Sequence, residues 1–115
     1  MKKVLAVLLL AGISASVAFA AQGGFKDSVN PKKSTVAEVL KMNNNAYVSI
    51  QGNIIKRISD DKYSFKDSSG TITVEIDDDK WGGVTAGTQD KLELIGEVEK
   101  KYNATELDVD TVRKL

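Results

Sequence analysis

The sequence contains no cysteine, no histidine and a single proline among its 115 residues. Without thiols or imidazoles the chain cannot form disulfides, Cys- or His-ligated zinc sites, Ser-His-Asp triads or cysteine nucleophiles. Aromatic residues make up only 6% of the chain, too few for the stacking track that single-stranded nucleic acids require. Most familiar enzyme chemistry is therefore excluded, and we do not expect a nucleic acid partner.

The N-terminal segment has the three parts of a secretory signal peptide. Lys2 and Lys3 form a basic start, an apolar run follows over residues 4–13, and Ala18-Phe19-Ala20 provides a small-x-small cleavage site. A transmembrane anchor is the alternative, but the apolar run of about 10 residues is half of the roughly 20 that a membrane-spanning helix needs. We predict cleavage after Ala20, a periplasmic location and no membrane span in the mature chain.

Cleavage would leave 14 basic and 16 acidic side chains, a net charge of −2. This balance gives a nucleic acid no excess of positive charge to bind. Residues 21–33 contain two glycines and the only proline of the chain, and they show no apolar periodicity. This composition predicts a flexible lead-in. Residues 34–115 are then the single folded domain, because regular hydrophobic patterns begin there.

One short helix is predicted at the start of this domain. Thr35-Val36-Ala37-Glu38 has the spacing of a capping box, in which the Thr and Glu side chains bond each other's backbone amides. Val36, Val39 and Leu40 form an apolar stripe on one helix face. The three asparagines of residues 43–45 end the helix, since consecutive asparagines favour turns.

After Ala46 the hydrophobic period changes to two, which predicts five β-strands. The inward residues are Val48, Ile50, Gly52 and Ile54; Tyr63 and Phe65; Ile72, Val74 and Ile76; Leu92, Leu94, Gly96 and Val98; and Leu107 and Val109, continuing to Val112 and Leu115. Gly52 and Gly96 interrupt two long strands where a missing side chain lets a sheet coil sharply.

These features predict an all-β domain with one N-terminal helix. Its architecture would be a five-stranded Greek-key barrel of the oligonucleotide/oligosaccharide-binding (OB) type, with the helix closing one end. An open five-stranded sheet with the helix across one face is the alternative.

Several stretches of the chain resemble one known family. They are residues 34–42 (STVAEVLKM), 52–58 (GNIIKRI), 60–63 (DDKY), 65–67 (FKD), 69–72 (SGTI), 74–77 (VEID), Trp81, 96–99 (GEVE) and 106–109 (ELDV). In order and spacing they resemble the bacterial OB-fold (BOF) family of small periplasmic stress-tolerance proteins. The resemblance implies a five-stranded barrel that contributes to envelope stress tolerance, with no enzymatic activity and no cofactor. The partners it implies are a cell-wall sugar or small polar ligand, or a periplasmic or inner-membrane protein.

Barrels of this class usually bind on the outer face of strands one to three and between the loops after strands one and four. The candidate ligand-binding residues are Asn53, Lys62, Lys66 and Thr73 on that face, Arg57 near the first loop, Lys100 and Tyr102 near the second, and Trp81. Their donors suit sugar hydroxyls, carboxylates or an acidic protein surface. For each strand residue, a solvated face of alternating charges is the alternative.

Trp81 has two interpretations, a platform for a sugar ring or a plug for the barrel end, and its size favours the plug. The consecutive aspartates 77–79 are expected to cap a loop, because neighbouring side chains on an extended chain point in opposite directions. No metal site and no catalytic residue is predicted. A carboxylate pair such as Glu75 and Asp77 leaves a hydrolase as one alternative, and a purely structural or protein–protein interaction module is the other.

Overall fold

The computed structural model describes residues 30–115, in which five strands form a closed barrel beside one short helix. The barrel strands are β1 (Tyr47–Arg57), β2 (Lys62–Asp67), β3 (Gly70–Glu75), β4 (Leu92–Lys101) and β5 (Ala104–Lys114). A two-residue leading strand (Lys32–Lys33) and helix α1 (Val36–Val39) precede them, and a 3-10 helix (Asp78–Lys80) follows β3. The predicted signal peptide, and the predicted lead-in up to residue 29, lie outside the described residues.

Two pairings between strands that are not neighbours in sequence close the barrel. Residues 47–52 of β1 pair antiparallel with 92–97 of β4, and residues 73–75 of β3 pair parallel with 106–108 of β5. The remaining pairs, β1–β2, β2–β3 and β4–β5, are antiparallel. This is the strand order of an OB barrel, so the predicted fold is confirmed and the open sheet is wrong. No helix within residues 30–115 is long and apolar enough to cross a membrane.

Gly52 and Gly96 lie where two backbones approach closely. A β-carbon on Gly52 would collide with the carbonyl oxygen of Lys66 on β2, and one on Gly96 would collide with that of Asp108 on β5. Both obstacles are backbone atoms, which cannot rotate away as a flexible side chain would. The two glycines therefore permit strand crossings that any other residue would obstruct.

The predicted inward residues fill the barrel except for Leu115, which follows the end of β5 and is 50% exposed. Those with no exposed surface are Val48, Ile50, Phe65, Val74, Ile76, Leu92, Leu94, Val98 and Leu107. Two β-bulges modify the pattern, because the register skips Ile55 on β1 and Asp110 on β5. The second bulge shifts the phase, so that Val112 follows Val109 onto the inner face.

Helix α1 is shorter than the predicted stripe. The Oγ1 atom of Thr35 accepts the amide of Glu38, and the Glu38 carboxylate accepts the amide of Thr35, which confirms the capping box. Val36 and Val39 are buried, but Leu40 ends the helix and is 38% exposed. The leading strand pairs parallel with Val48 and Ser49 of β1. Its two lysines, which the sequence assigned to the lead-in, thus form the edge of the sheet.

Candidate functional site

An open groove crosses the outer face of β1 and β2 beside the leading strand. It has a volume of about 670 Å³ and is lined by Lys33, Ser34, Thr35, Gln51, Gly52, Asn53, Ile55, Lys66, Asp67, Ser68 and Lys91. This volume lies within the range of small-molecule sites, about 300–1,000 Å³. Asn53 and Lys66 face each other across β1 and β2. Of the eight predicted site residues, these are the two that the structure brings together in the groove.

Asn53 uses both protons of its side-chain amide to hold the loop before β4. Its Nδ2 atom donates to the carbonyl oxygens of Thr88 at 3.1 Å and Asp90 at 2.9 Å. Gln51 lies two residues earlier on the same face of β1 and also lines the groove. Its amide makes no side-chain hydrogen bond to the other residues of the 30–115 range. Gln51 therefore offers the donors that the sequence assigned to Asn53.

Three lysines, Lys33, Lys66 and Lys91, supply positive charge along the groove. None of them has a carboxylate oxygen within 4.0 Å among the residues that the structure describes. Elsewhere on the barrel, four other lysines do form ion pairs of this length, which are the pairs Lys62–Glu106, Lys80–Asp110, Lys101–Glu99 and Lys114–Asp90. The ammonium groups along the groove are accordingly available to a ligand.

The one carboxylate in the lining, Asp67, is committed to the fold. Its Oδ2 atom accepts the backbone amide of Val36 at 2.9 Å, and Oδ1 accepts the amides of Ser69 and Gly70 and the Ser69 hydroxyl. Partial burial acts to raise the pKa of Asp67, but these hydrogen bonds outweigh it and hold the pKa below its ordinary value. Asp67 thus stays ionised and joins α1 to the β2–β3 turn.

Lys62 and Thr73 lie on a different, mainly acidic surface. The Nζ atom of Lys62 is 3.1 Å from a carboxylate oxygen of Glu106, and Thr73 pairs with Glu106 in the parallel register of β3 and β5. Carboxylate oxygens of Glu75, Glu99 and Glu106 lie within 4.8 Å of one another. Lys62 therefore pairs with one carboxylate of this cluster, and neither it nor Thr73 lines the groove.

Partial burial, followed by the charges of Asp108 and Asp61, raises the pKa of Glu75. Burial is likewise the main cause of the raised pKa of Asp108. The candidate hydrolytic pair Glu75 and Asp77 is brought together here, with the carboxylate of Asp61 also within 4.8 Å. In the described part of the chain, the three consecutive aspartates 77–79 do not converge on one another. Asp77 alone of the three belongs to a group of close carboxylates. The crowding of negative charge makes this surface unfavourable for an anion.

Trp81 and Arg57 both pack on Tyr63 at one end of the barrel. The rings of Trp81 and Tyr63 are 5.6 Å apart between centroids and nearly perpendicular, at 85°. Trp81 is partly buried against the core, which supports the plug over the platform. The guanidinium carbon of Arg57 lies 5.7 Å from the Tyr63 ring centroid, and its nitrogens donate to the carbonyls of Ser59 and Asp60. Arg57 therefore holds the β1–β2 turn.

Lys100 and Tyr102 lie at the β4–β5 hairpin and do not line the groove. The Nζ atom of Lys100 donates to the carbonyl of Leu40 at 3.2 Å and to the hydroxyl of Thr105 at 3.0 Å. Tyr102 has a φ of 54° and is fully exposed at the turn. Lys100 thus ties the hairpin to the end of α1, while Tyr102 contributes no packing.

Sequence reasoning missed Gln51, Lys33 and Lys91 as groove residues. A signal existed for Gln51, which shares the outward phase of Asn53 on β1. No local pattern marks Lys33 or Lys91, because these residues meet β1 only through the leading strand and through the closure of the barrel.

The sequence and the fold both have relatives among known proteins. The family profile described as "Bacterial OB fold (BOF) protein" matches residues 12–114. Protein YgiW of Escherichia coli (strain K12) is 41% identical over 128 residues, which cover 100% of this chain and 98% of that protein. The calcium-regulated OB-fold protein CarO of Pseudomonas aeruginosa is 34% identical over 101 residues, covering 88% of this chain and 86% of that protein. The solved structure of the hypothetical protein ygiW from E. coli has a TM-score of 0.71 and 45% identity, covering 82% of this chain and 100% of that chain.

Proposed function

Because this chain belongs to the bacterial OB fold (BOF) family, we propose that it is a non-catalytic periplasmic binding protein that contributes to envelope stress tolerance. Its ligand in this proposal is a small, sugar-like component of the envelope. The observation that carries the proposal is the groove on β1 and β2, where amide, hydroxyl and ammonium groups line about 670 Å³ of open volume.

The lining of the groove suits a saccharide. A sugar presents hydroxyl groups that both donate and accept, together with weakly apolar ring faces. The amide of Gln51 and the hydroxyl of Ser68 can each donate and accept hydrogen bonds. Ile55 is 43% exposed beside them, because the bulge on β1 turns it outward, and it offers an apolar contact for a ring face. A few polar groups around an apolar contact are typical of small-ligand sites.

The carboxylate pair Glu75 and Asp77 lies apart from the groove on which the proposal rests. Asp77 lines two other clefts, of about 590 and 430 Å³, whose remaining lining is mainly acidic. The chain also lacks histidine and cysteine, the most versatile proton-transfer and nucleophilic groups.

Ligand binding is tested by titrating the mature protein with cell-wall fragments and candidate sugars in a calorimeter. We expect saturable heat, and Gln51→Ala should weaken the affinity about two- to tenfold, since one well-placed hydrogen bond contributes roughly 0.5–1.5 kcal/mol. Gln89→Ala is the matched control, because Gln89 is exposed on the connector and does not line the groove. Absence of heat from every fragment would remove the ligand from the proposal.

Location and physiological role are tested in cells. Fractionation of cells that express the full chain should place a processed protein beginning at Ala21 in the periplasm. A deletion strain should survive peroxide and cationic-peptide challenge less well than the wild type. An unprocessed cytoplasmic protein, or a deletion strain with wild-type survival, would contradict this part of the proposal.

A protein–protein interaction module is the second candidate, favoured by one observation. Residues 106–108 of β5 pair with β3, but β5 continues to Lys114 and its later residues pair with β4 alone among the described strands. An unpaired strand edge of this kind can accept a strand from a partner. A stable stoichiometric partner recovered from envelope extracts, in the absence of a saturable small ligand, would favour this candidate.

A further inference from the structure

The charges around the groove are unbalanced. Lys33, Lys66 and Lys91 line it, and none has a carboxylate partner within 4.0 Å in the described part of the chain. All three side chains belong to exposed residues. The fold therefore places three ammonium groups along one groove, and none of them forms an ion pair within the described part of the chain.

Two carboxylates close to the groove, those of Asp67 and Glu93, accept hydrogen bonds from other groups. Asp67 receives hydrogen bonds through both of its oxygens from backbone amides and a hydroxyl. Glu93, which lies close enough to Lys33 to feel its charge, is bound by Arg113 at 2.7 Å and by the Ser49 hydroxyl at 2.9 Å. Hydrogen bonds from Arg113 and Ser49 keep the pKa of Glu93 below its ordinary value. Both oxygens of each carboxylate already accept hydrogen bonds from other groups, and neither carboxylate forms an ion pair with a lysine of the groove in the described part of the chain.

We infer that the groove selects a saccharide bearing an anionic group, a carboxylate or a phosphate, which the lysines bind while Gln51 and Ser68 contact the sugar hydroxyls. This inference rests on the proposed function and adds the class of its ligand. The lysines act as mobile point charges, which bind either anion without demanding one geometry. The acidic surface on β3 and β5 disfavours the same ligand, so binding is confined to the face of β1 and β2.

The experiment compares three probes built on one sugar ring. They are N-acetylglucosamine, N-acetylmuramic acid, which adds a carboxylate, and N-acetylglucosamine 6-phosphate. Each is titrated into the ¹⁵N-labelled protein as isolated from cells, and amide shifts report the dissociation constant even in the millimolar range. We expect at least one anionic probe to bind about tenfold more tightly than the neutral sugar, with the preference falling as salt rises. The tighter of the two anionic probes identifies the preferred anion.

Lys66→Gln and Lys91→Gln test the assignment, since each removes a charge and keeps a long polar side chain. Each variant should reduce the anion preference to about threefold or less. Lys56→Gln is the matched control, because Lys56 is exposed on β1 but does not line the groove. Amide spectra with the dispersion of the wild type establish that each variant is folded.

The outcomes separate this inference from the proposal beneath it. Equal affinity for neutral and anionic probes, with Gln51→Ala weakening both, would overturn the anion inference and leave the sugar site standing. Failure of all three probes to bind would overturn both. A preference that persists in Lys66→Gln and Lys91→Gln would overturn the assignment of the lysines.

Discussion

The indole ring of Trp81 lies edge-on to the phenol ring of Tyr63, with the ring centroids 5.6 Å apart. The guanidinium group of Arg57 lies over the same phenol ring. These contacts join the connector after β3 to the β1–β2 turn and close one end of the barrel. None of the three residues lines the groove, so substitutions among them should change stability without changing the groove itself.

Trp81→Ala should destabilise the protein by about 2–3 kcal/mol, somewhat less than for a fully buried tryptophan because Trp81 is only partly buried. Urea denaturation followed by circular dichroism measures the change. Trp81→Phe keeps an aromatic ring beside Tyr63, and it should lower the free energy of unfolding by less than half as much as Trp81→Ala. Ligand affinity of the folded Trp81→Ala protein should match the wild type, and a selective loss of affinity would instead support the sugar platform.

Gly96→Ala should destabilise the barrel by about 2–3 kcal/mol, because the new β-carbon collides with the backbone of β5. Gly87→Ala is the control. Its nearest non-neighbouring atom would be a carboxylate oxygen of Asp90 at 3.8 Å, which is an ordinary contact. Thermal unfolding should separate the two variants by several degrees. Equal melting temperatures would show that β4 and β5 have room to move apart.

Asn53→Ala should affect mainly stability and Gln51→Ala mainly ligand binding, although both residues lie on one face of β1. Asn53→Ala removes two hydrogen bonds to the loop before β4 and should cost about 1–2 kcal/mol. Gln51→Ala should leave stability within about 0.5 kcal/mol but weaken ligand binding. Faster amide exchange across residues 86–90 in Asn53→Ala alone would support the distinction, and an equally loosened loop in Gln51→Ala would contradict it.

Asp67→Asn should remove part of the acid sensitivity of folding. Because the folded pKa of Asp67 is lowered, its contribution is complete above the unfolded value of about 3.9 and is lost as pH falls through the folded pKa. The variant should therefore be less stable at pH 7, by about 1–2 kcal/mol, and approach the wild type near pH 2. Denaturation midpoints measured from pH 2 to pH 7 test this, and a difference that does not change with pH would refute it.

Glu75→Gln should change stability at pH 7 in the opposite direction to Asp67→Asn. The raised pKa of Glu75 means that the folded state holds this proton more tightly than the unfolded state does. Its contribution is greatest below the unfolded value of about 4.3 and declines as pH rises through the folded pKa. The uncharged variant should therefore be more stable at pH 7, by about 0.5 kcal/mol, with no gain at pH 3. Asp79→Asn, at an exposed carboxylate, controls for the change in net charge.

Features that depend on neighbouring residues were predictable from the sequence. The alternation of residues 48–52 and 92–98 placed β1 and β4, and Gly52 and Gly96 indicated closure, because both signals reflect the local pleat of a strand. The capping box of Thr35 and Glu38 was equally local. The length of α1 was not, since Leu40 has a helical pattern but lacks a partner that would bury it.

The candidate site depended on contacts distant in sequence, and there prediction was less complete. The alternation along β2 correctly predicted that Lys62 faces outward. It could not reveal the partner Glu106, which lies 44 positions away on another strand. Asn53 was likewise outward, yet its amide is occupied by carbonyls 35 and 37 positions away. The groove arises where the leading strand and β2 share one edge of β1, and no sequence period encodes that arrangement.

The parallel ladder between β3 and β5 joins only residues 73–75 to 106–108, whereas β4 and β5 pair along nearly their whole length. Val74 and Leu107 are partners in this short ladder, and both are completely buried. Local opening of the barrel should start at this short ladder and expose these two side chains to water before the rest of the core. Hydrogen exchange should therefore be faster for the amides of this short ladder than for those between β4 and β5.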